Sequence, residues 1–176
     1  MKKFRVLAFT LAIAGFGLTS CSNDDDSNDQ NNEAQIAGTY KLEEVNTADA
    51  TDFNDDGTLN ENQMNESDCY DDSEIILNAD GTFTYQRNSI VVNTTDGTSG
   101  CTEGTFSGTW ELLDGSGVDA VIAATYEDAN GDDTTINLVK EGNTITYENI
   151  FGSYPDRNEE GGAIYTFGSV EYVFRR

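Results

Sequence analysis

The sequence predicts an all-β fold, an antiparallel up-and-down β-barrel of about eight strands. Three observations predict it: apolar and polar residues alternate with a period of two, turn residues separate the alternating runs at short intervals, and no long helical pattern appears. Runs joined by short turns pair with their sequence neighbours, so the strands should form a meander. A meander of this size closes most readily into a barrel, because closure removes the unpaired edges of the sheet.

The predicted strands begin at residue 36, and each buries the side chains at every second position. The inward positions of the successive runs are Tyr40 and Leu42; Phe83 and Tyr85; Phe106, Gly108, Trp110 and Leu112; Val118, Ala120, Ile122, Ala124 and Tyr126; Ile136 and Leu138; Ile145 and Tyr147; and Val170, Tyr172 and Phe174. Turns rich in glycine and asparagine divide the runs at 78–81, 114–117, 130–132, 141–143 and 160–162. These residue types suit such turns because they tolerate positive φ.

The first 20 residues have the organisation of an export signal. Lys2, Lys3 and Arg5 form a basic start, and residues 6–17 are apolar apart from one threonine. This run is shorter than the roughly 20 apolar residues of a transmembrane helix, although an uncleaved anchor helix is the alternative. Residues 18–21 read Leu-Thr-Ser-Cys and resemble the lipobox of bacterial lipoproteins. The resemblance implies a signal peptide at 1–20, lipidation of Cys21 and a membrane partner held through that lipid anchor.

Residues 21–35 are predicted to form a flexible acidic tether that leads to a barrel domain at 36–176. The stretch from Ser22 to Glu33 contains no apolar residue, so it has nothing to bury and its charges repel one another. An acidic run behind an acylated cysteine resembles the surface-export signal of some Gram-negative lipoproteins. That resemblance implies an outer-membrane lipoprotein of the cell envelope that is exposed at the cell surface.

Several short motifs occur in the order found in the lipocalin-like domains of Gram-negative bacterial lipoproteins. They are Gly-Thr-Tyr at 38–40, the Asp/Asn/Gly loop at 52–57, Cys69 with acidic neighbours, Asp-Gly-Thr-Phe at 80–83, Cys101 and Gly-Thr-Trp at 108–110. The set resembles this family over 36–113, and the remainder resembles it by strand pattern. The resemblance implies a lipocalin-like β-barrel, with Tyr40 where lipocalins usually carry tryptophan. It also implies that Arg175, on the last strand, packs over Tyr40 by a cation–π contact.

The chain has three cysteines. If Cys21 is acylated, Cys69 and Cys101 remain, and an even pair in an exported chain indicates a disulfide. A nucleophilic thiol is the alternative, but it would need a nearby base, and the chain has no histidine.

The acidic loop after the first strand has the spacing of a calcium-binding loop. Side-chain oxygens of Asp52, Asn54 and Asp56 occupy loop positions one, three and five, a glycine follows, and Thr58 offers a carbonyl. Position twelve is Gln63 instead of the usual glutamate. Either Glu61 or Glu66 would have to replace it, or Asp68, Asp71 and Asp72 would have to complete the site from the Cys69 segment. A solvated turn in a very acidic chain is the alternative. Calcium is therefore the one cofactor that the sequence suggests.

The composition of the chain excludes several classes of function. The net charge of −24 excludes nucleic acid as a partner, and the absence of histidine removes histidine-based catalysis and zinc binding. We expect a monomeric, non-enzymatic, small-ligand-binding or accessory surface module. The aromatic residues expected to line a site for an apolar or sugar ligand are Tyr40, Phe83, Tyr85, Trp110, Tyr126 and Tyr147, with Phe106 and Tyr172. The alternatives are a calcium-stabilised structural surface protein, in which these rings only fill the core, and a glycan hydrolase that uses paired carboxylates.

Overall fold

The alternating runs form antiparallel strands in a computed structural model, which describes residues 32–176. The strands are β1 (Gly38–Thr51), β2 (Asn60–Asn62), β3 (Glu74–Leu77), β4 (Thr82–Asn93), β5 (Thr98–Gly115), β6 (Asp119–Glu127), β7 (Asp133–Glu141), β8 (Thr144–Asn149), β9 (Ser153–Arg157), β10 (Ala163–Phe167) and β11 (Val170–Arg175). Two short 3₁₀ helices, Gln63–Asn65 and Asp68–Tyr70, lie between β2 and β3. Among these residues no helix is long and apolar enough to cross a membrane.

Eight of the strands close into a barrel, as the sequence predicts. The hydrogen-bonded order is β1, β3, β4, β5, β6, β7, β8 and β11, and β11 pairs with β1 to complete the circle. Strand β2 pairs with the far half of β1, and β9 with β10 forms a separate two-stranded sheet outside the barrel. The turn predicted at 160–162 therefore belongs to a hairpin that packs on the barrel. Neither strand of this hairpin is part of the barrel sheet.

The predicted inward positions fill the barrel interior, with one exception. Phe83, Ile122, Leu138 and Phe174 have at most 1% of their surface exposed. Val118 is the exception, because it lies in the turn before β6 and is 55% exposed. A bulge in β1 between Leu42 and Glu44 shifts the alternation by one residue. The shift keeps Val45 buried and facing the interior.

One end of the barrel is closed by the start of the domain. Residues 32–36, which the sequence analysis assigned mainly to the tether, form a helical turn in which Ile36 is fully buried. The Tyr40 hydroxyl donates to the Ile36 carbonyl at 2.6 Å, and the Trp110 indole N–H donates to the Asn78 carbonyl at 2.9 Å. These bonds leave the closed end dry and packed.

The prediction that Arg175 packs over Tyr40 is wrong by one residue. Arg175 pairs with Lys41 across the β1–β11 ladder, and its guanidinium forms an ion pair with Glu43 at 3.1 Å. Arg176, the next residue, places its Cζ 5.5 Å from the centre of the Tyr40 ring. The reason is the pleat, since adjacent strand residues point to opposite faces.

At the other end, β4 and β5 extend beyond the barrel and carry a cap. Strand β4 buries Phe83 and Tyr85 on the inner face, but beyond Arg87 it buries Asn88, Ile90 and Val92 on the outer face. The β9–β10 hairpin covers that outer face, where the Tyr165 hydroxyl donates to the Ile90 carbonyl at 3.3 Å and accepts from the Val92 N–H at 3.1 Å. The inner face beside Arg87 stays open.

Candidate ligand site at the barrel mouth

The structure separates the predicted ligand-binding aromatics into two groups. Tyr40 and Trp110 lie at the closed end and are packed there, and Phe83 lies in the interior, 1% exposed. Tyr85, Tyr126 and Tyr147 lie toward the open end of the barrel. We call this open end the mouth; Arg87, Phe106 and Tyr172 belong to it as well.

Strand pairing and side-chain alternation bring the mouth aromatics together. Tyr147 on β8 and Tyr172 on β11 are direct cross-strand partners, and their rings stack with 5.6 Å between centroids and 14° between planes. Phe106 on β5 contacts Tyr126 on β6 at 5.2 Å. Tyr85 lies beneath, 6.4 Å from Phe106. Tyr147, Tyr172 and Phe106 are half-buried, so each ring has a side that faces solvent.

Arg87 lies at the rim of this aromatic cluster. Its Cζ atom is 5.0 Å from the centre of the Phe106 ring, which is within the range of a cation–π contact. The β4–β5 register pairs Arg87 with Gly104, and a Cβ atom on that glycine would lie 3.1 Å from the Phe106 ring. Gly104 therefore leaves the room that lets the Phe106 ring lie against the strand beside the guanidinium.

Burial is the main cause of the raised pKa values of the phenol groups at the mouth. It raises the pKa of Tyr172 to about 12, with a further increase from neighbouring Tyr147 and a decrease from Arg87. Burial also raises the pKa of Tyr85 well above the ordinary range, and it raises the pKa values of Tyr126 and Tyr147. Arg87 lowers the pKa of all four phenols, which opposes the effect of burial. The four groups are neutral at physiological pH.

The mouth combines tyrosine hydroxyls with a groove beside Arg87 and Phe106. The hydroxyls of Tyr40, Tyr154 and Tyr165 have hydrogen-bond partners, whereas within residues 32–176 the four mouth hydroxyls have none. The adjoining groove has a volume of about 390 Å³. It is lined by Arg87, Ser89, Thr102, Glu103, Gly104, Thr105, Phe106, Glu127, Asp128 and Ala129. The arrangement can hold a small flat molecule by ring contact and by hydrogen bonds from phenol donors.

A broader depression of about 510 Å³ lies at the closed end beside Lys140. Lys140 is 1% exposed, and its ammonium donates to the carbonyls of Gly117, Val118 and Gly142 at 2.7, 3.0 and 2.5 Å. Burial lowers the pKa of this lysine. Because its three donors are already used, the depression has no cationic group to offer a ligand.

Sequence reasoning missed two residues of this region. Arg87 follows Phe83 and Tyr85 at the same spacing of two, and continuing that alternation would have placed it inside the mouth. Tyr70 is 4% exposed in the second 3₁₀ helix. Burial raises its pKa, and neighbouring Tyr172 and Tyr165 raise it further. No local pattern marks Tyr70, because only the tertiary fold brings its segment there.

The predicted calcium loop is ordered by its own hydrogen bonds. Asp52 accepts from the backbone N–H groups of Asp56 and Gly57, both at 2.9 Å. The Glu66 carboxylate accepts from the Asn54 N–H at 3.1 Å, so the structure does bring that carboxylate to the loop. Within residues 32–176, however, no three His, Cys, Asp or Glu side chains converge as a metal site would require. Calcium binding stays a prediction.

The remaining cysteines pair as the sequence indicates. A disulfide joins Cys69 in the second 3₁₀ helix to Cys101 on β5, with Cα atoms 5.1 Å apart and a sequence separation of 32. It ties the segment that contains Tyr70 to the β4–β5 extension beside the mouth. Cys21, the signal peptide and most of the predicted tether lie outside the described residues.

Comparison with known proteins gives one match. The family model described as Domain of unknown function (DUF5004) matches residues 18–153. Neither a comparison with curated proteins nor one with solved structures finds a match. The eight-stranded closed barrel and the family match fit a lipocalin-like fold.

Proposed function

The chain belongs to the DUF5004 family of domains of unknown function, and from the geometry of its barrel we propose that it is a lipid-anchored cell-envelope lipoprotein whose mouth binds a small ligand. The observation that carries this proposal is the asymmetry of the two barrel ends. Tyr40 and Trp110 close one end with satisfied hydrogen bonds. At the other end Tyr147, Tyr172 and Phe106 keep half-buried ring surfaces beside unpaired hydroxyls.

The chemistry of the mouth suits a small apolar or sugar ring. Aromatic faces contribute contact area at little cost in conformational entropy, and phenol groups supply hydrogen bonds that orient the ligand. The barrel interior below the mouth is filled by Phe83, Tyr85 and Phe174, so the ligand binds at the rim and is not enclosed in a deep cavity. The proposed role is binding without catalysis, since the chain has no histidine to serve as a general acid or base near neutral pH.

The tether would reach the barrel at the end opposite the mouth. Asn32 accepts from the Gly117 N–H at 3.3 Å, in the turn that precedes β6 at the closed end. If Cys21 carries the lipid, the tether would lead from the membrane to the closed end of the barrel, away from the mouth. Metabolic labelling with a fatty acid tests the anchor: wild type should be labelled and found in the membrane fraction, and Cys21→Ser should be neither. Equal labelling of the two would contradict the anchor.

Ligand binding is tested by saturation-transfer NMR with 2-naphthamide and a methyl glucoside as neutral ring probes. We expect at least one probe to bind, and Tyr147→Ser to weaken it about tenfold through the loss of ring contact. Phe167→Ser is the matched control, because Phe167 is 86% exposed on the hairpin outside the barrel. Loss of binding in both variants, or in neither, would contradict a site at the mouth.

The filled interior also favours a second candidate, a structural surface protein without a ligand. In that case the barrel is a stable folded domain at the end of the tether, and the aromatic residues of the mouth serve only to pack against one another. The same titration decides between the two, because a purely structural head should bind neither probe.

A further inference from the structure

We infer that Arg87 makes the mouth selective for ligands that carry a planar anionic group, a carboxylate foremost, on a flat ring. This inference rests on the proposed function and adds to it the chemical class of the ligand. It is argued from the partners that Arg87 lacks, from the groups that surround it and from the way its guanidinium is held.

Arg87 differs from the other cationic side chains of residues 32–176. Four of those have polar partners: Lys140 and Arg176 donate to main-chain carbonyls, Arg157 donates to the carbonyls of Phe53 and Gly161, and Arg175 pairs with Glu43. Lys41 and Arg87 have neither a hydrogen bond nor an ion pair within this part of the chain. Both side chains are exposed, but Lys41 lies on the outside of β1, whereas Arg87 lies over the Phe106 ring at the mouth.

The lack of a partner is notable because carboxylates are close by. Glu103, Glu127 and Asp128 line the same groove, yet the ion pair described within residues 32–176 is Arg175 with Glu43. The Asp128 carboxylate already accepts from the backbone N–H groups of Asn130 and Asp132 at 2.8 and 3.1 Å. The Phe106 ring holds the Arg87 guanidinium 5.0 Å above its centre instead. The N–H groups of Arg87 therefore stay available.

The geometry of these N–H groups is complementary to that of a planar anion. A guanidinium presents its donors as a rigid fork that binds a carboxylate through two parallel hydrogen bonds. Tyr126 contacts the Phe106 ring, and Tyr147 stacks on Tyr172, so the mouth offers further hydroxyl donors for a remaining oxygen. The ring of the ligand would rest against the half-buried aromatic surfaces. Glu103, Glu127 and Asp128 line the same groove and repel an anion, so the paired hydrogen bonds with the guanidinium have to outweigh that repulsion.

The experiment compares two probes of the same shape, naphthalene-2-carboxylate and 2-naphthamide, which differ in charge. Dissociation constants are measured by NMR titration for wild type, Arg87→Gln and Arg87→Lys, with Arg175→Gln as the surface-arginine control. We expect wild type and Arg175→Gln to bind the carboxylate about tenfold more tightly than the amide, as a charge-assisted hydrogen bond implies. Arg87→Gln should bind the two probes equally and keep its affinity for the amide. Arg87→Lys should keep part of the preference for the carboxylate probe, because lysine keeps the positive charge but lacks the paired N–H donors of the guanidinium.

The possible outcomes distinguish a failure of this inference from a failure of the proposed function. Equal binding of the two probes by wild type, or a preference that survives Arg87→Gln, overturns the inference and leaves ligand binding at the mouth intact. Failure of wild type to bind either probe overturns the proposed function and the inference with it. Thermal melts of each variant show whether a loss of affinity comes from unfolding.

Discussion

Single residues at the two ends of the barrel differ in whether their hydrogen-bond donors have partners. Lys140 at the closed end is buried with its three donors on three carbonyls, and such a residue is structural. Arg87 and the hydroxyls of Tyr147 and Tyr172 have no such partners within residues 32–176. These donors reach solvent, since the buried side-chain atoms without a partner among the described residues are Gln63 Oε1 and Asn88 Oδ1. They can therefore exchange water for the polar groups of a ligand.

The buried phenols predict a loss of stability at alkaline pH. Burial raises the pKa of Tyr172 in the folded protein to about 12, from an ordinary value of 10.0. The folded state therefore holds this proton more tightly than the unfolded state. Its contribution to stability is complete below pH 10 and is lost as pH rises toward 12. Tyr85, Tyr126 and Tyr147 act in the same direction.

Urea unfolding at pH 8 and pH 11 checks this prediction with two variants. Tyr172→Phe should change stability little at pH 8, because the hydroxyl has no partner within residues 32–176, and should lose less stability than wild type at pH 11. Tyr165→Phe should lose about 1 kcal/mol already at pH 8, because its hydroxyl bonds to two backbone groups of β4. A wild-type protein that is equally stable at both pH values would contradict the prediction.

At the scale of elements, the sequence predicts the barrel strands well, because burial of one face imposes the alternation that marks them. It does not predict where the alternation changes face. Strand β4 switches from the inner to the outer face after Arg87, since the β9–β10 hairpin covers its far half. That cover comes from residues about 70 positions later in the chain, as the contacts between Tyr165 and Val92 illustrate. No local pattern encodes such a contact.

The disulfide is predicted to stabilise the folded domain. Cys69 and Cys101 enclose a loop with a sequence separation of 32, and closing such a loop in the unfolded chain contributes about 3–4 kcal/mol in the chain-entropy model. Replacing both cysteines by alanine should lower the free energy of unfolding by this amount in urea titrations. Wild type treated with a reducing agent should match the double variant. A difference below about 1 kcal/mol would show that the cross-link adds little.

The loop with Asp52, Asn54, Asp56 and Thr58 is the element on which the calcium prediction depends. Its internal hydrogen bonds hold the turn, and Gly57 adopts φ of 86°. A bound ion would stabilise the folded state by mass action, so the prediction requires a higher melting temperature in millimolar calcium than with a chelator. Asp52→Asn should remove that increase. Equal melting temperatures for wild type in the two conditions would contradict calcium binding.

The whole molecule has two ends with different roles. The closed end holds the start of the domain and the C-terminal Arg176, which donates to the Ala37 carbonyl at 3.0 Å. The mouth carries the only cluster of half-buried aromatic rings with unpaired hydroxyls within residues 32–176, beside Arg87. The sequence indicated the aromatic lining but could not divide it between the ends, because Tyr40 and Tyr147 have the same inward position in their strands. Strands β1 and β8 run in the same direction, and the register of both with β11 places Tyr147 level with Val45 and not with Tyr40.

Mapping a bound probe by NMR tests the central claim, ligand binding at the mouth, most directly. Naphthalene-2-carboxylate is titrated into the isotope-labelled protein, and the shifts of the aromatic and arginine side chains are followed. The proposal predicts saturable changes at Phe106, Tyr147, Tyr172 and Arg87, with none at Trp110 of the closed end. Changes at Trp110 instead of the mouth, or no saturable change anywhere, would contradict it.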